Sequence, residues 1–92
     1  MVAEDDWRLS NASFLQGAAF RWKRWRQPSA DWDHDHCVGC WAKFSLYEGD
    51  ESLKEGYAIT RETSTHGEDY YWICRSCFDD LKERLGWSEV SN

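Results

Sequence analysis

The stretch Asp31–Phe44, DWDHDHCVGCWAKF, gathers three aspartates, two histidines, two cysteines and two tryptophans into fourteen positions. Thiolates bind soft metal ions, imidazoles bind metals or move protons, and carboxylates do either, so spacing has to decide among them. Cys37-Val38-Gly39-Cys40 is matched by Cys74-Arg75-Ser76-Cys77, with 33 residues between the pairs. Two residues between cysteines let both sulfurs of one tight turn reach a single tetrahedral ion at about 2.3 Å, and two such turns complete its shell. The pattern predicts one structural Zn2+ held by Cys37, Cys40, Cys74 and Cys77, with an iron or iron–sulfur centre as the chemical rival. Four thiolates leave no open position for water, so the ion would hold the fold together, and its binding energy would be folding energy. Gly39 suits a first turn whose backbone needs a positive φ.

Asp33-His34-Asp35-His36 stands immediately before the first pair. Next to a cysteine-bound zinc, this segment resembles the active site of phage-type HNH recombination endonucleases, which implies a general-base histidine and a second metal. The order differs from that family, where the segment lies between the cysteine pairs. Phe78 also stands after Cys77, where the family has the Asn or His that completes its metal site. The supporting reading is that His36 donates an N–H to a zinc-bound thiolate while Asp33 and Asp35 cap the turn. A variant of it has His34 or His36 replacing one cysteine as ligand. His66, in the turn STHGE, is expected to face solvent. The chain has no Gly-x-Ser-x-Gly elbow and no phosphate-cradling glycine loop, so the reading is non-enzymatic.

At 92 residues the chain is expected to form a single domain over residues 1–92, with a modest core that a bound metal would reinforce. Aromatic residues make up 16% of it, which concentrates buried area in few positions. No apolar run approaches the roughly 18 residues of a membrane span, and the acidic start MVAEDDWRL is unlike a signal peptide, so a cytoplasmic location is expected. There cysteines stay reduced, which favours metal over disulfides. The formal charge of −6 divides unevenly, at about +2 over residues 1–30 and about −8 over residues 31–92. Such a surface repels nucleic acid and attracts basic protein partners. Arg21, Lys23, Arg24 and Arg26, interleaved with Phe20, Trp22 and Trp25, suggest single-stranded nucleic acid as the rival partner, which makes a nucleic-acid-binding or transcription-adaptor zinc finger the alternative function. The blander alternative is that these cations pair with the run from Asp31 to Asp35.

Several elements are needed to bring the two cysteine turns together. Residues 1–12 read as a loosely ordered lead-in and residues 35–87 as the zinc-finger core. Over residues 14–26 the alternation of Phe20 and Trp22 with Arg21 and Lys23 favours a strand over a helix, and Pro28 ends the element. WAKFSLYEGD alternates weakly and reads as a short strand running into an acidic turn at Glu48 to Glu51. Tyr57 to Arg61 and Tyr70 to Cys74 form the clearest hairpin. Phe78, Leu81 and Leu85 share one face of a C-terminal helix with Asp79 and Asp80 in its first turn. Gly86 stops it, and Trp87 folds back over Leu81 or Leu85. A cysteine turn, a hairpin and a second cysteine turn opening a helix is the order of a treble clef. The fold class is thus a small α+β domain with antiparallel hairpins, a C-terminal helix and a treble-clef-like zinc site of four cysteines.

The whole signature runs Trp32-Asp-His-Asp-His-Cys-x-x-Cys-Trp-Ala-Lys-Phe44, then Glu55-Gly-Tyr57, then Tyr71-Trp-Ile-Cys-x-x-Cys-Phe78. It resembles a family of small uncharacterised bacterial proteins found beside polymorphic toxins, where small acidic partners act as immunity proteins. The resemblance implies the zinc site and a protein partner such as a basic toxin domain. On that reading Trp22, Trp25, Tyr70 and Trp72 are the candidate anchors at the interface.

Overall fold

The computed structural model describes residues 6–46 and 51–91. Its longest element, helix α2 (Arg75–Leu85), buries Cys77, Phe78, Leu81 and Leu85 and keeps Lys82 and Arg84 in its last turn. That spacing puts one apolar stripe against the rest of the molecule. Gly86 ends the helix at φ 69°, in the left-handed region, and its amide returns to the carbonyl of Lys82. The helix begins early enough that Asp79 and Asp80 fall outside its first turn. Trp87 does fold back into the core. Its ring lies edge-on to Phe20 at 5.2 Å and stacks near Phe78 at 6.0 Å, and its indole donates to the carbonyl of Leu15 at 3.0 Å.

The face of α2 rests on a four-stranded sheet of β1 (Ala19–Arg24), β4 (Glu55–Ile59), β5 (Trp72–Ile73) and β6 (Ser88–Glu89), in the order β5-β4-β1-β6. β1 runs antiparallel to β4, with Phe20 opposite Ile59 and Trp22 opposite Tyr57. The strand reading of this segment therefore holds for Ala19–Arg24, while Ser13–Leu15 forms a single 3-10 turn and Gly17 breaks the chain at φ 80°. The expected hairpin is present as β4 and β5, with Tyr57 opposite Ile73 and Ala58 opposite Trp72. The first strand lies two residues earlier than the alternation suggests, ending at Ile59 before Arg61–Thr63 coils into a 3-10 turn, and the second is reduced to two residues. β6 adds in parallel to β1, so the last described segment completes the sheet edge.

A second, two-stranded sheet pairs β2 (His34–His36) with β3 (Lys43–Ser45) and carries the first cysteine turn at its tip. Phe44 of β3 is fully buried and lies against Gly56 of β4, where any Cβ would sit 2.6 Å from the Phe44 ring. Glycine at that position is what lets the two sheets meet. The acidic turn expected at Glu48 to Glu51 lies, apart from its last residue, outside the described residues. Among the described residues no helix is long and apolar enough to cross a membrane.

The lead-in needs correction. Trp7–Ala12 forms a short helix, α1, whose N-cap Asp6 accepts from the amide of Arg8 at 2.9 Å. Ala12 is fully buried and Leu9 packs against the core, so this segment belongs to the folded unit. An isolated helix of six residues would not persist in water, and tertiary contact is what holds it.

Tyr57 and Phe78 stack at 3.9 Å with their planes 14° apart, and Phe20 meets Phe78 edge-on at 6.0 Å, making Phe78 the hub between sheet and helix. Replacing Phe78 by Ala should cost about 3–5 kcal/mol. Trp7→Ala, at an exposed position, should change stability by no more than about 0.5 kcal/mol. Urea unfolding of both variants at the same metal loading checks the contrast.

Candidate metal centre

The first cysteine turn is built by its neighbours. The amide of Cys37 donates to Ala42 at 2.7 Å and that of Trp41 to Cys37 at 2.9 Å, which closes the loop, while the amide of Val38 donates to Trp72 at 3.0 Å and docks it on β5. The left-handed residue of this turn is Trp41 at φ 69°, and Gly39 is not among the positive-φ glycines. Gly39 suits the turn for a different reason: a Cβ there would crowd Cys77, at 3.0 Å from its sulfur and 3.3 Å from its Cβ. The second turn uses the start of α2. Cys74 is the N-cap, and its sulfur accepts from the amide of Cys77 at 3.4 Å, the task a Ser or Asp oxygen does at other helix starts.

These two turns bring the sulfurs of Cys37, Cys40, Cys74 and Cys77 within 4.8 Å of one another, with Cys40 and Cys74 at 3.7 Å. Four thiolates bound at about 2.3 Å to a tetrahedral ion lie about 3.8 Å apart, so the cluster fits such an ion with small adjustment. Three of the cysteines are buried and Cys40 is half-buried at the rim. The set is all sulfur, which suits a thiophilic ion and supplies no vacant coordination position.

The ionisation of the cluster gives a second test of fit. Hydrogen bonds from the thiols of Cys74 and Cys77 pull the Cys37 thiol down, with the amides of Cys74 and Cys40 adding to the effect. That thiolate, once formed, pushes Cys74 and Cys77 up. The protein by itself thus favours one thiolate and resists the next. A divalent cation supplies the charge that lets all four ionise together, and its uptake must release protons.

Two groups from α1 close over the site, and neither was visible in the cysteine spacing. Arg8 donates to the sulfur of Cys77 at 3.7 Å while its guanidinium also bridges Asp6 at 2.7 Å and Asp80 at 3.1 Å. The Asp6 hydrogen bond holds Arg8 firmly charged and lowers Asp6 in return. Asn11 donates to the carbonyl of Gly39 at 2.9 Å, tying the same helix to the first turn. Asp6 as a cap and an arginine among acidic residues were the available sequence signals, but both suit an unstructured tail equally well.

No known protein family, curated protein or solved structure matches this chain.

The histidines stand apart from the sulfurs. His34 and His36 lie on the exposed side of β2 with their rings 4.9 Å apart, and His34 contacts Asp33 at 2.7 Å. The expected bond from His36 to a cysteine does not form, and neither histidine joins the cluster of ligand atoms. Alternation along the strand explains this, because only Asp35 points inward, where it accepts from the indole of Trp25 at 2.9 Å. Burial raises the Asp35 pKa, and hydrogen bonds from Trp25 and Trp32 oppose that rise. His66 is exposed, as expected, and stacks on Tyr70 at 4.6 Å.

The four candidate interface aromatics separate in the same way. Trp25 is 1% exposed and Trp72 is 3% exposed, so both are core residues and not anchors. Trp22 is half-buried, edge-on to Tyr57 and beneath the guanidinium of Arg75 at 4.8 Å. Of the four, Tyr70 alone is exposed. Among the basic residues of this segment, Lys23 pairs with Asp69 at 2.8 Å and not with the Asp31–Asp35 run.

Titration with Co2+ should give one tetrahedral all-thiolate spectrum per chain, and Cys74→Ser should abolish it. Arg8→Met should weaken the ion by about 10–100-fold, the usual range for a residue that supports a ligand. His36→Ala should leave both affinity and spectrum unchanged.

Proposed function

We propose that this chain is a non-enzymatic, zinc-stabilised protein-interaction module, and in its most concrete form an immunity-type inhibitor that covers a basic toxin domain. The observation that carries the reading is the closed site. Four converging sulfurs under Arg8 and β5 would give zinc no position for water or substrate, so the metal would serve structure. The acidic charge of −6 favours a basic partner, which charge would steer into contact. Single-stranded nucleic acid, the rival, has less support: its proposed stacking platform is taken up by the burial of Trp25 and by Arg75 over Trp22.

The test is co-expression with the C-terminal domain of a secreted toxin encoded beside this chain. A one-to-one complex whose association slows with added salt is the expected result, and two separate species on size exclusion would overturn the inhibitor reading. In the same preparation, plasmid DNA with Mg2+ or Mn2+ should remain intact. Cutting that disappears with His36→Ala while the metal stays bound would replace the module by a nuclease.

A further inference from the structure

Among the described residues the exposed large apolar side chains are Trp7, Phe14, Trp41, Leu46 and Tyr70. Three of these, Phe14, Trp41 and Tyr70, line one groove of about 400 Å³ together with Trp32, Val38 and Tyr71. Scattered surface aromatics need no explanation, whereas several gathered in one concavity have the composition of a binding site. The rings are held in place by each other. Trp32 meets Tyr70 edge-on at 5.6 Å, Tyr70 meets Tyr71 at 4.8 Å, and Phe14 meets Tyr71 at 5.2 Å. The groove thus has a preformed wall whose ring faces and edges alternate.

Trp41 is the sharpest feature of this surface. It is 62% exposed and holds a left-handed backbone at φ 69°. Glycine or asparagine would occupy that position with less strain, and a large side chain there adds nothing to the core. Its ring lies tilted against that of exposed His36 at 6.0 Å, and neither the turn nor core packing accounts for tryptophan, so its side chain is the part left to explain.

The charge around the groove selects the occupant. No lysine or arginine lines it, while His34 and His36 do; Asp35 lies in its wall with one carboxylate oxygen on the Trp25 indole, and Asp33 beside it is 77% exposed at its side chain and contacts His34. The hydrogen bond to His34 is the main cause that lowers the Asp33 carboxyl, and Lys43, cross-strand from His36 and outside the groove lining, adds a smaller part. Aromatic faces beside carboxylates attract a cation twice over, through the ring quadrupole and through Coulomb attraction.

We infer that this groove is the docking surface for a basic segment of a partner protein, with an arginine or lysine side chain laid against Trp41 and the Trp32–Tyr70 wall. This inference rests on the protein-interaction reading above and names the face that carries it. Phosphate-rich nucleic acid is disfavoured by the same charges.

Isothermal titration of the full metal-loaded chain tests it, using a short peptide of alternating arginine and glycine as probe. The comparison probes are the same peptide with glutamate in place of arginine and a single-stranded oligothymidine. The arginine peptide should bind, and Trp41→Gly or Tyr70→Ala should weaken it at least about 10-fold, as the loss of an aromatic anchor does. Asp33→Asn should weaken it several-fold, and Trp7→Ala should leave it unchanged. Trp41→Gly should keep its Co2+ spectrum and melting temperature, which separates lost binding from lost folding. Equal or tighter binding of the glutamate peptide or the oligothymidine would overturn the inference, as would full affinity in Trp41→Gly. A toxin-domain complex that forms undiminished with Trp41→Gly would sink the groove while leaving the interaction reading intact.

Discussion

Convergence of four sulfurs on one point is the constraint that organises this molecule. The two cysteine turns are separated by 33 residues, and everything between them has to fold so as to return the second turn to the first. The hairpin of β4 and β5 makes that return, and its end feeds directly into Cys74. The first turn hangs on the same strand through the bond from Val38 to Trp72. β5, only two residues long, therefore touches both halves of the site. A small domain gains little from its core alone, and a metal held by the four sulfurs would close a long loop and supply what the core lacks.

Charge is the second organising influence. A divalent ion with four thiolates carries a net charge of about −2, in a protein that is already acidic. Backbone amides of Cys74 and Cys77 would offset part of that charge, and Arg8 brings a full positive charge to the sulfur of Cys77. The arginine is in turn held by Asp6 and Asp80 on either side. A short helix that would be unstable alone is thus fastened by its contact with the site, and the site is shielded by the helix.

The legible parts of the sequence are those in which local spacing decides the outcome. Cys-x-x-Cys fixes two sulfurs whatever surrounds them, and Phe78, Leu81 and Leu85 mark a helix face that only needs something to pack on. The alternation around Tyr57 and Trp72 likewise places a hairpin, though not its length. Tertiary contact decides the rest. Trp25 and Tyr70 are both aromatic beside polar residues, yet one is buried against Asp35 and the other lines an open groove. Gly39 reads in the sequence as a site of backbone freedom, when its reason is the nearness of Cys77, a residue 38 positions away. Residues 6–12 have too few apolar positions to declare a helix, and the burial of Ala12 and the packing of Leu9, together with the bonds from Arg8 and Asn11, show why one forms.

Cys74 fills two positions at once, as a candidate metal ligand and as the residue that caps α2. In most helices the first turn frays independently of distant parts of the fold, and its amides exchange with solvent quickly. Here an opening of that turn would pull a ligand away from the ion, so fraying and metal release become one event. The start of the helix should thus be among its most protected segments when the ion is bound, and protection there would report occupancy of the metal site.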